Sequence, residues 1–429
     1  MQLDAPERPR AVRAKLRTAT CLLLTAVAPR FAHAADPPAP PVPASPPTSQ
    51  IDLTGLFYSE RIRVLEPTMR YTRTYSSGRS FFGQVSVDSV TGASPNGTLP
   101  TGRTQTVTSA SGRSRSVSAN SIPTVNFSDT RIALDGEWQQ PVKMFAFSLG
   151  GHFSHEKDYQ SEGVTGRVAI DLNHKLTTLS LGGGYNNDVV SPVGGTSVGM
   201  APYGELTGAA SNPKHVKTAL VGVSQVLSRK WLVGVSASLS SEDGYLTDPY
   251  KALSIIDATT GIPLAQVSEQ RPDTRQRRSV QGDSVYHFTS NILYLSYRRY
   301  WDDWGIGSHT IDARYRLPVT SAAFVEPHVR FYTQTAADFY RFGLVQGAPL
   351  PQYATSDYRM AGLQSVTLGA TIGFAPGGRR RTSEWTVRAE YVGQFGDSSP
   401  PGTVGVQTKI DLFPAVNVFS MVVNYRFNR

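Results

Sequence analysis

The side chains best suited to chemistry lie together in one polar segment, SYRRYWDDWGIGSHTIDARYRLP, at residues 296–318. Two neighbouring acids, Asp302 and Asp303, are followed closely by Ser308 and His309. A serine nucleophile needs a histidine base within hydrogen-bond reach and an acid that orients the base, so this set is the best candidate for a hydrolase. Adjacent residues of an extended strand point to opposite sides, however, so the site would require a loop here. We expect no enzyme, and a hydrolase at the rim is only the third functional hypothesis.

Metal and cofactor sites have weaker support in the sequence. His152 and His155 are three residues apart, which places them on opposite faces of a strand and prevents them from sharing a metal ion there. The glycine-rich segment LGGGYNND, Leu181–Asp188, opens no helix and therefore offers no phosphate-binding turn. We expect neither a metal nor a cofactor.

The N-terminus has the pattern of a protein that is exported. Basic residues between Arg8 and Arg17 precede the apolar run Cys21–Ala28 and the small-residue pattern Ala32-His33-Ala34. This order predicts a secretory signal peptide over residues 1–34, and its removal would take away Cys21, the single cysteine. The proline-rich stretch that follows predicts an extended periplasmic linker over residues 35–50 and a folded domain over residues 51–429.

The folded domain shows a repeat of two residues rather than the helical repeat of 3.6. In His309–Leu317, Ile311 and Tyr315 share one face with other apolar residues, whereas Asp312 and Arg314 lie on the opposite, polar face. Similar alternation recurs along the chain, commonly over more than about ten residues, and aromatic residues flank the segments, as expected for strands that cross a membrane rather than for a soluble sandwich. The pattern predicts an all-β fold, a transmembrane antiparallel up-and-down β-barrel.

The connections between the alternating segments are short and long in turn. Outer-membrane barrels join their strands by short periplasmic turns and longer external loops, and counting back from the last strand gives about 16 strands, with a range of about 14–16. We therefore expect the protein in the bacterial cell outer membrane, in contact with outer-membrane lipid and lipopolysaccharide. The last strand ends on the aromatic Phe427, followed by Asn428 and Arg429, and we expect the barrel assembly machinery to recognise it. The tip of the 296–318 segment should form an external rim at the membrane boundary, made of Trp301, Asp302, Asp303 and Trp304.

The inward positions of the predicted barrel carry many charges. A barrel of this size encloses an aqueous lumen, so these residues could line a channel that favours one sign of solute, or form cross-strand ion pairs that brace the wall and close the lumen. Both alternatives remain open. The formal net charge of +9 includes the basic leader, and because the arginines alternate into the barrel we expect no nucleic-acid partner. The candidate lumen residues are Arg70, Arg298, Asp312, Arg314, Arg316, His328, Arg330, Arg388 and Glu390.

Six phrases in order go beyond a generic barrel: DSVTGASPNG (Asp88–Gly97), GYLTDPYK (Gly244–Lys251), EQRPDTR (Glu269–Arg275), YRRYWDDWGIGSHT (Tyr297–Thr310), RFYTQTAADFY (Arg330–Tyr340) and SDYRM (Ser356–Met360). With them the chain resembles a family of bacterial outer-membrane β-barrels catalogued as a domain of unknown function. The resemblance carries no assigned activity. It implies a periplasmic lipoprotein or flavoprotein partner in an envelope redox system, which gives the second hypothesis, a non-catalytic scaffold or docking barrel. The first hypothesis is a channel or binding conduit for a small hydrophilic solute.

Overall fold

A computed structural model describes residues 48–59, 62–100, 105–108, 114–117, 122–376, 383–413 and 416–428. The predicted signal peptide and most of the predicted linker lie outside these residues. The first strand begins at Thr48, slightly before the expected domain boundary at residue 51. No helix in the described ranges is both long enough and apolar enough to cross a membrane.

The described chain is built from strands and three short 3₁₀ helices, which cover Asn173–Lys175, Tyr358–Met360 and Gly405–Lys409. The strands are β1 (Thr48–Ser59), β2 (Ile62–Thr74), β3 (Ser80–Pro95), β4 (Gln105–Thr108), β5 (Ser114–Val117), β6 (Thr124–Val142), β7 (Phe145–His155), β8 (Tyr159–Leu172), β9 (Thr177–Val190), β10 (Asn212–Ser228), β11 (Trp231–Gly244), β12 (Ala252–Ile256), β13 (Pro263–Ser268), β14 (Thr274–His287), β15 (Ile292–Asp302), β16 (Gly307–Pro318), β17 (Ala323–Gln334), β18 (Leu344–Val345), β19 (Leu363–Phe374), β20 (Ser383–Gly396) and β21 (Val416–Asn428).

Sixteen of these strands form one closed barrel in the order β1-β2-β3-β6-β7-β8-β9-β10-β11-β14-β15-β16-β17-β19-β20-β21. Every pair of neighbours is antiparallel, and β1 closes the barrel against β21 with Leu53 opposite Tyr425. Closure leaves no unpaired sheet edge, which is the condition for a β-structure to cross lipid. The predicted fold class and the predicted strand number of about 16 are confirmed.

The repeat of two residues places apolar side chains on the outside of the barrel. Leu295, Tyr297 and Ile311 are each close to half exposed although they belong to the centre of long strands. Their sequence neighbours Ser296, Asp312 and the other residues of opposite parity point into the lumen. An apolar outer face and a polar inner face are what a lipid-embedded barrel requires.

The connections confirm the predicted alternation of short turns and long loops. At one end the strands are joined by tight turns, such as residues 75–79 between β2 and β3 and residues 229–230 between β10 and β11. Among the connections that the structure describes at least in part, the other end has the long ones 96–123, 191–211, 245–273, 335–362 and 397–415 and the short ones 156–158 and 303–306. The predicted turn near Gly377 falls largely outside the described residues. The long-loop end is the external end of the barrel.

The described parts of the five long external loops pack against one another, and we call these parts the external cap. In the barrel order β3 and β11 are the third and ninth of sixteen strands, so they lie far apart in the wall. The loops that follow these two strands nevertheless meet, because the Ala252 N–H group in the second loop donates to the Asn96 carbonyl in the first at 2.8 Å. Within the cap, β12 pairs with β13 and β18 in a three-stranded sheet, and Leu253 and Ile256 of β12 are fully buried. The loops therefore extend across the external mouth, which the sequence alone did not indicate.

Candidate functional site

The charged inward positions of three nearby strands form one continuous group, which we call the lumen strip. The residues of the strip are Asp312, Arg314 and Arg316 of β16, Glu326, His328 and Arg330 of β17, and Arg388 and Glu390 of β20. In each strand they are separated by single outward-facing residues, so the alternation that predicted the barrel also aims them into its interior. Seven of the nine predicted lumen residues belong to this strip.

His328 is at the centre of the lumen strip and is almost completely buried, with 6% of its surface exposed. Its Nε2 lies 2.7 Å from Asp312 Oδ2, and its Nδ1 lies 2.8 Å from Glu390 Oε1. An imidazole ring can donate from both nitrogens only when it carries both protons. With both carboxylates ionised, the geometry is that of an imidazolium which bridges two acids.

Gly369 makes the second half of this bridge possible. On β19 it is paired with His328 on one side and with Glu390 on the other, so it occupies the inward position between them. A Cβ atom at this position would lie 2.5 Å from Glu390 Cγ and 2.7 Å from the Ala389 carbonyl oxygen. Because glycine has no side chain, the histidine and the glutamate meet across the full width of the intervening strand.

The acids and the arginines of the strip differ in their access to the lumen. The side chains of Asp312, Glu326 and Glu390 are only 13%, 4% and 16% exposed. Those of Arg314, Arg330 and Arg388 are 44%, 51% and 45% exposed. Ion pairs link the two groups, at 2.8 Å for Arg330 Nε with Asp312 and 2.7 Å for Arg316 Nε with Glu326. The pairs therefore brace the wall, and within the lumen strip the guanidinium groups are more exposed than the carboxylates.

The two remaining predicted lumen residues lie apart from the strip. Arg298 points inward from β15 with its guanidinium 5.9 Å from the centre of the Tyr300 ring, and in the described part of the chain it has no ion pair with a carboxylate. Arg70 of β2 donates to Gln84 Oε1 at 2.9 Å and lies over the Phe82 ring at 5.3 Å. Arg70 is thus an inward residue that does not contact the lumen strip.

The four residues of the predicted external rim lie at the long-loop end of the barrel, and they differ in their surroundings. Asp302 Oδ1 accepts hydrogen bonds from the backbone N–H groups of Trp304 at 3.1 Å and Ile306 at 2.9 Å, so its side chain caps the turn between β15 and β16. Asp303 Oδ1 accepts from Gln276 N–H at 2.8 Å. Trp301 has the parity of the outward face. Trp304 was wrongly expected at the lipid boundary, because it is 4% exposed and packs inside the external cap.

Ser308 and His309 do not form a nucleophile and base pair. Ser308 is buried on the inward face of β16, whereas His309 is exposed on the outward face with its Nδ1 2.6 Å from the Tyr297 hydroxyl. The two side chains lie on opposite sides of the barrel wall. The hydrolase constellation suggested by the sequence is therefore not assembled at this point.

The external cap contains a buried ionic cluster that the sequence reasoning missed. Arg271 Nη2 donates to Asp357 at 2.9 Å and Arg271 Nε lies 2.6 Å from Glu269, while Arg359 Nη2 donates to Asp248 at 2.8 Å. Burial raises the pKa of Glu269, against the opposing effect of Arg271. Burial would also raise the pKa of Asp357, but Arg359, Lys251 and Arg271 outweigh it and hold that pKa far below its ordinary value. The cluster joins loop 245–273 to loop 335–362.

Comparisons with known proteins identify one family and a set of distant solved structures. A family model described as a protein of unknown function, DUF3570, matches residues 13–427. No curated protein matches the sequence. Among solved structures, OpdK from Pseudomonas aeruginosa, crystallised with vanillate, is 9% identical with a TM-score of 0.41 and covers 89% of this chain and 99% of its own. The siderophore receptor PirA from the same organism is 9% identical with a TM-score of 0.39, and the match covers 82% of this chain and 57% of the receptor.

Proposed function

Since the chain belongs to the DUF3570 family of proteins of unknown function and folds as a closed transmembrane barrel, we propose that it is a conduit in the bacterial outer membrane which binds and passes small hydrophilic anions through its lumen.

One observation carries the proposal, the different exposure of the two kinds of charge in the lumen strip. The arginine side chains are about half exposed, and the carboxylates that hold them are largely covered. A solute in the lumen therefore meets guanidinium N–H groups, which bind carboxylates and phosphates in a bidentate manner. A charged lining within low-dielectric walls also raises the local concentration of ions of opposite sign.

The external cap sets a condition on transport. Its loops meet across the mouth, so a solute that enters from outside passes only when some of these contacts open. A cavity between the loops near Lys251 and Tyr358 has a volume of about 30 Å³, which is room for about one water molecule. We expect low basal conductance with brief openings rather than the steady current of an open pore.

Ion selectivity in planar bilayers tests the proposal. Purified, refolded protein is placed in a salt gradient, and the reversal potential reports whether anions or cations carry the current. We expect anion preference, which weakens in the double variant Arg330→Gln with Arg388→Gln, because Asp312 and Glu390 keep His328 as a partner while two lumen cations are lost. The variant Arg73→Gln, at an exposed outward-facing position near the periplasmic end of β2, serves as the control.

Three results would contradict the proposal. Cation preference in the wild type, or unchanged selectivity in the double variant, would show that the lumen arginines do not select the solute. A barrel that stays silent even when the external cap has been loosened would favour the second hypothesis, a non-conducting scaffold that docks a periplasmic lipoprotein or flavoprotein.

A further inference from the structure

Two arginines near the external end face outward, where a membrane barrel usually presents apolar side chains. In the segment RQRRS, Arg275 and Arg277 point inward and bind Asp302 and Glu242, whereas Arg278 is exposed on the outer face of β14. Because successive side chains of a strand point to opposite faces, Arg275 and Arg277 share the inner face and Arg278 lies on the outer face. Arg299 has the same outward parity as the exposed Tyr297 on the neighbouring strand, β15.

Arg278 and Arg299 are diagonal neighbours on this outer face. The register of β14 and β15 places Arg278 opposite Trp301 and Val280 opposite Arg299, and such diagonal positions are about 7–8 Å apart. Within the described residues neither guanidinium is in an ion pair, and Arg278 donates only to the amide oxygen of Gln276, at 3.3 Å. Asp303, the acid next to Gln276, accepts from that residue's backbone N–H. Two like charges are thus held side by side with no carboxylate bound to either.

Arg299 is fixed in place by its own neighbours. Its Nη1 donates to the Ser308 carbonyl at 3.3 Å and lies 3.1 Å from His309 Nε2. Because arginine cannot accept a hydrogen bond, His309 Nε2 accepts, and its Nδ1–H donates to the Tyr297 hydroxyl. In the described structure the Nε and Nη2 groups of Arg299 make no hydrogen bond. The side chain is therefore ordered in advance, with donors left for a ligand.

Directly on the membrane side of these arginines the wall is apolar. Val280, Leu295 and Ile311 are 39%, 45% and 47% exposed on the same outward face. A ligand that fits both parts is an amphiphile with an anionic group above acyl chains. In the external leaflet of an outer membrane this is lipopolysaccharide, whose lipid A part carries phosphates at the boundary between sugar and acyl chains. We propose that Arg278 and Arg299 bind a lipid A phosphate. This site rests on the outer-membrane location proposed above but not on conduction.

Binding of lipid A to the purified protein in detergent micelles tests the site. We expect the wild type to bind phosphorylated lipid A more tightly than the same lipid without phosphates. Arg278→Gln and Arg299→Gln should each weaken this binding about fivefold to tenfold, since each removes charge-assisted hydrogen bonds to one anion. The control, Arg73→Gln, removes an outward-facing cation at the opposite, periplasmic end of the wall and should leave the affinity unchanged.

Two further ligands, phosphatidylglycerol and inorganic phosphate, show whether the site is specific for lipid A. Vesicles of phosphatidylglycerol should bind in the same way to wild type and variants, and inorganic phosphate at millimolar concentration should not displace lipid A. The site would be overturned if a variant with both Arg278→Gln and Arg299→Gln kept wild-type affinity for lipid A while retaining the heat-modifiable migration of a folded barrel. It would also be overturned if phosphatidylglycerol bound as tightly and with the same dependence on the two arginines. Because conductance is measured independently, either proposal can fail alone.

Discussion

His328 and Glu390 are hydrogen-bonded at 2.8 Å although a complete strand, β19, separates the two strands that carry them. The contact crosses Gly369, whose missing side chain leaves the inward position between them empty. On its other side the same histidine contacts Asp312 of β16 at 2.7 Å. One imidazole therefore connects β16, β17 and β20, and it fixes the acids that in turn orient the lumen arginines.

The substitution Gly369→Ala should break this connection. The added methyl group would lie 2.5 Å from Glu390 Cγ and 2.7 Å from a backbone carbonyl, so the glutamate side chain has to move away from His328. We expect the free energy of unfolding to fall by about 1–3 kcal/mol, from overpacking together with the loss of a charged hydrogen bond. Urea unfolding in detergent micelles, followed by tryptophan fluorescence, measures the change.

Gly166→Ala is the matched control for that substitution. Gly166 belongs to the middle of β8, and a Cβ added there would meet no atom within 4 Å. Replacing glycine by alanine in an open strand position should be neutral or slightly stabilising, because it restricts the unfolded chain. Equal destabilisation by both substitutions would show that Gly369 acts through strand propensity and not through the His328–Glu390 contact.

The barrel could be predicted because a strand that crosses lipid leaves a strong local signal. Ile311, Asp312, Ala313 and Arg314 alternate between lipid and lumen, and this alternation alone fixes which side chains face inward. The partners of the inward residues are a different matter. They depend on register across several strands, and the sequence gives no sign that His328 would meet Glu390 through a glycine on a third strand.

The external cap was missed for a related reason. Its residues follow neither the two-residue repeat of a strand nor the 3.6-residue repeat of a helix, so hydrophobic periodicity gives no prediction for them. A signal was nevertheless present, because the phrases GYLTDPYK, EQRPDTR and SDYRM, which carried the family resemblance, contain the cluster residues Asp248, Glu269, Arg271, Asp357 and Arg359. Acidic and basic residues in three separate segments predict ion pairs only if the fold brings those segments together. Here the closed barrel places the three loops at the same end.

The substitution Asp357→Asn should loosen the external cap. Asp357 is fully covered and binds both Arg271 and Arg359, so the change leaves two buried guanidinium groups short of negative charge. Breaking a buried pair in this way costs about 3–5 kcal/mol. We expect faster hydrogen exchange in loops 245–273 and 335–362 and more frequent openings in planar bilayers. Asp273→Asn, at an exposed position of the first of these loops, should change neither measurement.

Trp304→Ala should destabilise the same region by a different mechanism. The buried indole packs edge-to-face on Phe339 at 5.1 Å between ring centres, and its Nε1–H donates to the Thr274 carbonyl at 2.8 Å. Removing a buried tryptophan costs about 3–5 kcal/mol. Limited proteolysis of loop 335–362 should therefore accelerate strongly in this variant. Trp301→Ala, three residues earlier on the outward face, should leave the proteolysis rate close to that of the wild type.

Glu156, in the short external connection 156–158, should make stability depend on pH. Burial, with the negative charges of Asp129 and Asp158, raises the pKa of Glu156 from 4.5 to about 7. Between these two pH values the folded protein retains a proton that the unfolded chain has released. The free energy of unfolding therefore falls as the pH rises from about 4.5 to about 7, and it stays lower above pH 7. The total decrease is at most about 3 kcal/mol. Glu156→Gln should therefore stabilise the barrel at pH 8 and have little effect at pH 4.5, measured by urea unfolding at both values. Glu205→Gln, at an exposed position of loop 191–211, is the control. A gain in stability of the same size at both pH values would contradict the assignment.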